Sequence, residues 1–194
     1  MSKKFILASR SPRRKELLTQ YGFSFDIIES HIEERFQDHL TSSQNALAIA
    51  KVKALDVANK TKGIILAADT IVSVGKMILG KPKDMAHAKI MLQSLSGKLH
   101  SVITAFVIYN TQTKREYAKT VTTKLKFKKL TNEFINRYLK TQNPLDKAGA
   151  YAIQENHDTL VEHIEGSFTN VMGLPIEEVV EALRKFGILP HDNT

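Results

Sequence analysis

The run Ile-Ile-Leu-Ala-Ala-Asp-Thr-Ile-Val-Ser-Val, Ile64–Val74, is rich in β-branched side chains and is broken by one carboxylate, Asp69. Side chains of this kind favour pleated backbone with packed neighbours, so the run is expected to be a central strand. A carboxylate in an apolar strand is costly unless a cation, a metal or a hydrogen-bond network compensates it. Asp69 is therefore either a structural acceptor at a strand end or a general base or metal ligand. Thr70 adds a hydroxyl beside it.

The pattern around this strand predicts a mixed α/β sheet rather than a purely parallel one. Before it come a strand at residues 5–9, a helix at 15–21 stopped by Gly22, a strand at 23–29, and a helix from Ser42 and Ser43 to about Lys60. After it come a turn at Gly75 and Lys76, a loop at Gly80-Lys81-Pro82, and a helix from Asp84 to about Leu95. Residues 101–109 and 119–128 read as long antiparallel strands. Thr131 should cap a helix containing Phe134, Ile135, Tyr138 and Leu139. A loop at 144–149, a strand at 159–164 and a helix at 176–186 complete the reading, as one domain over residues 1–194.

A chain of 194 residues with 42% hydrophobic content can bury a sizeable core, which excludes a disordered chain. The absence of cysteine excludes disulfides, a thiolate nucleophile and zinc held by thiolates. No apolar stretch reaches the length of a signal-peptide core or a membrane span, so the expected location is the cytoplasm and no membrane partner is expected. The net charge of +8 suits anionic partners without choosing among them. Positive residues concentrate at 3–14, 51–62 and 114–129, and the last of these reads as solvated strand edges.

The order strand, turn, helix at residues 5–21 places Ser9, Ser11, Arg13 and Arg14 where a helix start leaves N–H groups unpaired, and Pro12 suits a first helical turn. Such a corner can cradle phosphate, with Arg supplying a fork of donors. Lys53 and Lys81 are point charges of the same use, although Lys53 can equally snorkel from a core-facing helix and Lys81 can be an ordinary loop cation. Glu33 and Glu34 offer hard oxygen ligands to a divalent cation, or are solvated loop residues. His100 reads as structural. The phosphate loop, the dinucleotide-binding fingerprint, the His-Glu-x-x-His motif and the nucleophile elbow are all absent.

Taken together, these segments resemble the Maf family of nucleoside triphosphate pyrophosphatases. The likeness rests on Ser9-x-Ser11-Pro12-Arg13-Arg14-x-Glu16-Leu17-Leu18, Glu33, Lys53-Ala54, Ala68-Asp69-Thr70 and Gly80-Lys81-Pro82. It continues through Leu95-Ser96-Gly97-x-x-His100-x-Val102-x-Thr104, Lys147-Ala148-Gly149-Ala150-Tyr151-x-Ile153-Gln154 and Val171-Met172-Gly173-Leu174-Pro175. The resemblance implies an elongated mixed sheet flanked by helices, of the Maf/ITPase-like kind, with two lobes around a deep cleft. It also implies cleavage between the α- and β-phosphates with a divalent metal (Mg²⁺, Mn²⁺ or Co²⁺), and a homodimer. The Ser-Pro-Arg-Arg form, the Asp-Thr pair and Gln154 look like the subgroup acting on dTTP and UTP, with modified pyrimidine nucleotides as a further option. Carried over by resemblance, Asp69 is the proton acceptor and Arg13, Thr70 and Gln154 select the substrate. Ser9, Arg14, Lys53 and Lys81 bind phosphate, and Glu33 is the metal ligand. The competing reading is a nonenzymatic nucleic-acid-binding or septum-regulating protein, although no nucleic-acid module or stacking platform is recognisable.

Overall fold

Eleven consecutive strand residues give the sheet its axis. In the computed structural model, which describes residues 4–154 and 156–191, the elements are β1 (Phe5–Leu7), α1 (Pro12–Gln20), β2 (Asp26–Ile27), α2 (Ser42–Ala58), β3 (Ile64–Val74), β4 (Met77–Leu79) and α3 (Met85–Leu95). They continue with β5 (Leu99–Asn110), β6 (Glu116–Phe127), α4 (Asn132–Thr141), a 3₁₀ turn (Ala148–Ala150), α5 (His157–Leu160), β7 (Val161–Glu165), α6 (Phe168–Met172) and α7 (Ile176–Arg184). Lys3, at the head of the first basic concentration, lies outside the described residues. Among the described residues the strands form a seven-stranded sheet in the order β2-β1-β3-β5-β6-β7, with β4 paired to β3. It mixes parallel pairs (β1 with β2 and β3) and antiparallel ones (β3 with β4, β6 with β7), as the sequence pattern requires.

The chain divides into two compact units, Met1–Asp69 with Thr104–Val121 and Gly173–Thr194, and Thr70–Ile103 with Thr122–Met172. In the first unit the parallel ladder sets Phe5, Ile6 and Leu7 opposite Ile64, Ile65 and Leu66, all buried. Helix α2 covers apolar area with Ala46, Ile49, Ala50, Ala54 and Val57, which recur at helical spacing on one face. Its N-cap is Thr41, one residue ahead of the expected serines, because Thr41 and Gln44 close a capping box. The strand expected at 23–29 shrinks to two exposed residues, since β1 offers only Ile6 and Leu7 for pairing.

In the second unit, β4 zips back onto β3 through the Gly75 turn, where a φ of +58° suits glycine. This strand and α6 are too short to leave a periodic signal. The strand expected at 159–164 begins with a helical turn, α5, and pairs only from Val161. Lys124 and Lys126 face Glu165 and Glu162 of β7 from exposed positions, so that part of the basic segment is a solvated strand face worth little stability.

This unit also buries His100, whose ring meets Phe127 edge-on at 4.6 Å and Tyr151 at 5.8 Å. Its Nδ1 faces the Lys98 carbonyl oxygen, which can only accept, so the proton belongs on Nδ1 and Nε2 accepts from the Tyr151 hydroxyl at 3.0 Å. Burial pushes the imidazole down from 6.5 to about 4 and the Tyr151 phenol up, so both stay neutral.

The unfolded chain binds the His100 proton near pH 6.5 and the folded chain only near pH 4, so this residue's contribution to stability falls as the pH drops through that window. A His100→Gln variant lacks the effect. The stability difference between parent and variant, measured by urea unfolding at pH 7 and pH 4, should shift against the parent by on the order of 3 kcal/mol. An unchanged difference would show that His100 titrates normally.

Candidate active site

Two carboxylates and one ammonium meet in the first unit. Lys53 lies on the buried face of α2, in helical register with Ala46, Ile49, Ala50 and Val57, and only 9% of it is exposed. Its Nζ donates to Asp69 Oδ1 at 2.7 Å and pairs with Glu34 Oε1 at 2.6 Å. Asp69 is 5% exposed. Burial raises its pKa above the ordinary carboxylate value. The Lys53 charge and hydrogen bond oppose that rise, the Glu34 charge adds to it, and Arg14 counteracts it.

Arg14 is held in the same neighbourhood by backbone. The β1 ladder ends after Ala8 N–H donates to Leu66 O at 2.8 Å, because Pro12 and α1 turn the chain away. The next carbonyl on that side of β3 belongs to Ala68, and Arg14 Nη1 donates to it at 2.9 Å. Arg14 Nε donates to Gly173 O at 2.7 Å, and Nη1 also reaches Ser9 Oγ at 3.3 Å. Ser9 Oγ in turn accepts from Ser11 N–H at 3.1 Å. A guanidinium thus substitutes for the missing strand one residue before Asp69 and gives the Ala68 carbonyl its donor. Burial lowers its pKa, and the charges of Asp69 and Glu34 pull it back up.

Asp69, Lys53, Arg14 and Ser9 are therefore gathered in one unit, with Arg13 half-buried on α1. Glu33 is directed elsewhere: it is exposed and pairs with Arg35 at 2.6 Å, while its neighbour Glu34 turns to Lys53. Thr70, Lys81 and Gln154 belong to the second unit. Thr70 is half-buried in β3, Lys81 is exposed ahead of buried Pro82, and Gln154 is half-buried.

Sequence reasoning missed Asn45. It is 1% exposed and ties down the loop that carries Glu34, accepting from Gln37 N–H at 2.8 Å and donating to the carbonyls of Gln37 and Leu40 at 3.1 Å each. A polar residue on an otherwise apolar helix face was the available signal. Gly173, too, carried no assigned task, yet its carbonyl fixes Arg14.

The donor set suits a divalent cation. The ammonium of Lys53 stands between Glu34 and Asp69 as a cation would, and both are hard oxygen donors. No cluster of three or more histidine or acidic side chains occurs among the described residues.

The fold has a solved counterpart in a HAM1 protein from Coxiella burnetii, with TM-score 0.57 and 15% identity over 95% of this chain and 100% of that one. Residues 4–186 match the Maf-like protein family, and the chain belongs to that family. Among its relatives, the dTTP/UTP pyrophosphatase of Alkaliphilus oremlandii is 47% identical over 94% of this chain and 95% of its own. The dTTP/UTP pyrophosphatase of Bacillus pumilus is 44% identical over 95% of this chain and 97% of its own.

Replacing Lys53 with Met removes the cation that two carboxylates share. The variant should lose about 3 kcal/mol of stability at pH 8, and less at pH 5, where Asp69 escapes by taking up a proton. Urea unfolding at the two pH values measures this, and equal losses would mean that Asp69 does not depend on Lys53.

Proposed function

We propose that this chain hydrolyses nucleoside triphosphates to the monophosphate and pyrophosphate, with dTTP and UTP as preferred substrates. The observation that carries the reading is the buried Asp69 held by Lys53, which also pairs with Glu34, on a chain whose relatives are named dTTP/UTP pyrophosphatases. Those names favour an enzyme over the nonenzymatic nucleic-acid-binding or septum-regulating alternative. Residues 1–194 act in this proposal as a single Maf-like nucleotide pyrophosphatase domain. The resemblance adds a homodimer and a cytoplasmic location; among the described residues no helix is long and apolar enough to cross a membrane.

Asp69 is the proton acceptor. Burial raises its proton affinity, which makes it a stronger base than an exposed carboxylate, and Lys53 keeps it ionised until the attacking water is deprotonated. The negative charge that grows on the phosphate oxygens calls for positive side chains. Arg13, Lys53 and Lys81 supply that charge. Arg14 contributes from a fixed place, because its Nε and Nη1 bonds to backbone prevent it from following the substrate. Glu34 and Asp69 are the residues that would hold a divalent cation, with Mg²⁺, Mn²⁺ and Co²⁺ as candidates. Such an ion supplies charge neutralisation and orientation of phosphate oxygens. Glu34 takes this role in place of Glu33, whose carboxylate is engaged by Arg35. Thr70 and Gln154 read the base, the amide offering both donor and acceptor to a pyrimidine edge. Modified pyrimidine triphosphates fit the same recognition.

Asp69→Asn should retain nucleotide binding and lose turnover by roughly 10²–10⁴-fold. Pyrophosphate should be the product of the parent in one step. Near-normal turnover of the variant would remove Asp69 from the base role, and orthophosphate release would indicate a different phosphatase chemistry. Glu34→Gln should weaken Mn²⁺ binding followed by magnetic resonance without nucleotide, whereas Glu33→Gln should leave it unchanged. The opposite ranking would return the ligand role to Glu33.

A further inference from the structure

Gln154 sits at the end of a segment whose backbone is held in an unfavourable shape. Gly149 and Ala150 both have left-handed φ, +70° and +65°, and Ala150 is buried. An alanine there is strained and persists only when its surroundings over-determine it. Glycine suits position 149, because its φ of +70° strains any side chain and a Cβ would crowd both Val72 and the Tyr151 ring at 3.1 Å. Three contacts within the second unit supply the over-determination. Gly149 N–H donates to the Gly80 carbonyl at 3.1 Å, in the loop that carries Lys81. Ala152 N–H donates to the Tyr138 hydroxyl at 3.0 Å. The Tyr151 hydroxyl donates to His100 Nε2 at 3.0 Å, inside a cluster closed by Phe127, whose ring lies 4.8 Å from that of Tyr151.

From this geometry we infer that His100 and Tyr151 are positioning residues for substrate selection: their buried hydrogen bond, together with the Tyr138 brace, fixes the strained turn that sets where Gln154 presents its amide. Strain of this kind clusters at ligand clamps because a relaxed turn would let the reading group wander. Tyr151 and Gln154 are three residues apart, so a shift of the anchored ring is passed along a short backbone. His100 is also one strand residue from Ser101, in β5, which gives the anchor a rigid base rather than a loop. Neither ring touches solvent to any extent, Tyr151 being 6% exposed and His100 2%, so neither is placed to contact nucleotide itself.

The inference rests on Gln154 reading the base, and the test separates the two. Steady-state kinetics with dTTP, UTP and GTP are measured for the parent, Gln154→Ala, Tyr151→Phe, His100→Leu and His100→Gln. Tyr151→Phe and His100→Leu should each lower the kcat/KM ratio of dTTP to GTP by about tenfold, chiefly through KM for the pyrimidines, in keeping with loss of binding discrimination rather than of chemistry. His100→Gln keeps an acceptor for Tyr151 and should recover most of that ratio. Loss of activity that is uniform across the three nucleotides would overturn the inference, as would an unchanged ratio while Gln154→Ala changes it. If Gln154→Ala itself leaves the ranking intact, the base-reading role fails and the inference with it. Should Tyr151→Phe not fold, Tyr138→Phe, which removes the hydroxyl that accepts from Ala152, carries the same expectation.

Discussion

The contact on which the first unit depends is the one between Lys53 and Asp69. A carboxylate in the middle of a long, mostly buried strand is tolerable because α2 brings an ammonium to 2.7 Å. Replacing such a pair with apolar residues is often neutral or stabilising, so its presence argues for chemistry rather than stability. The pair also dictates local structure. Helix α2 must present Lys53 on the same face as Ala50 and Val57, and the capping box at Thr41 fixes the rotation and start of that helix. Asn45 then ties the preceding loop so that Glu34 reaches the same ammonium.

A second constraint follows from how early β1 stops. The strand gives way to α1 at Pro12, and the ladder on that side of β3 would leave the Ala68 carbonyl without a donor. Arg14 fills the gap, and through Gly173 it also fixes the turn before α7. The residue that reads from sequence as a free phosphate fork is therefore already committed along Nε and Nη1. Its charge still acts on Asp69, but from a fixed place. Electrostatic groups are most effective when they do not have to move as charge develops, so this commitment suits the proposed reaction better than a mobile arginine would.

Much of this was legible in the chain because the signals were local. The β-branched run marked β3 to the residue, Asp84 and Thr131 marked helix starts through their capping chemistry, and the glycine turn after Val74 was plain. Asp69 and Lys53 could be singled out because each violates an apolar pattern. What could not be read depends on pairing at a distance. The shortness of β2 is set by β1, and β4 exists only as the return of a hairpin. The choice between Glu33 and Glu34 turns on which carboxylate faces α2, and adjacent loop residues carry no periodicity to decide it. His100 was legible as structural, but its tie to Tyr151 spans 51 residues and leaves no trace in spacing.

Charge counting gives the site its demand for further cations. Asp69 and Glu34 are two negative charges, Lys53 and Arg14 two positive ones, so the group is neutral as a set. A neutral set offers a triphosphate little attraction of its own, and the strongly basic balance of the chain supplies only long-range steering. The charge of the substrate must be matched by groups not already paired within the set, which is the physical case for a divalent cation drawn in with the nucleotide. A divalent cation held by Glu34 and Asp69 would share those carboxylates with Lys53 and would supply positive charge toward phosphate. The ammonium is thus a resident counter-ion that favours the ionised form of Asp69, as the proposed role of that buried carboxylate as proton acceptor requires.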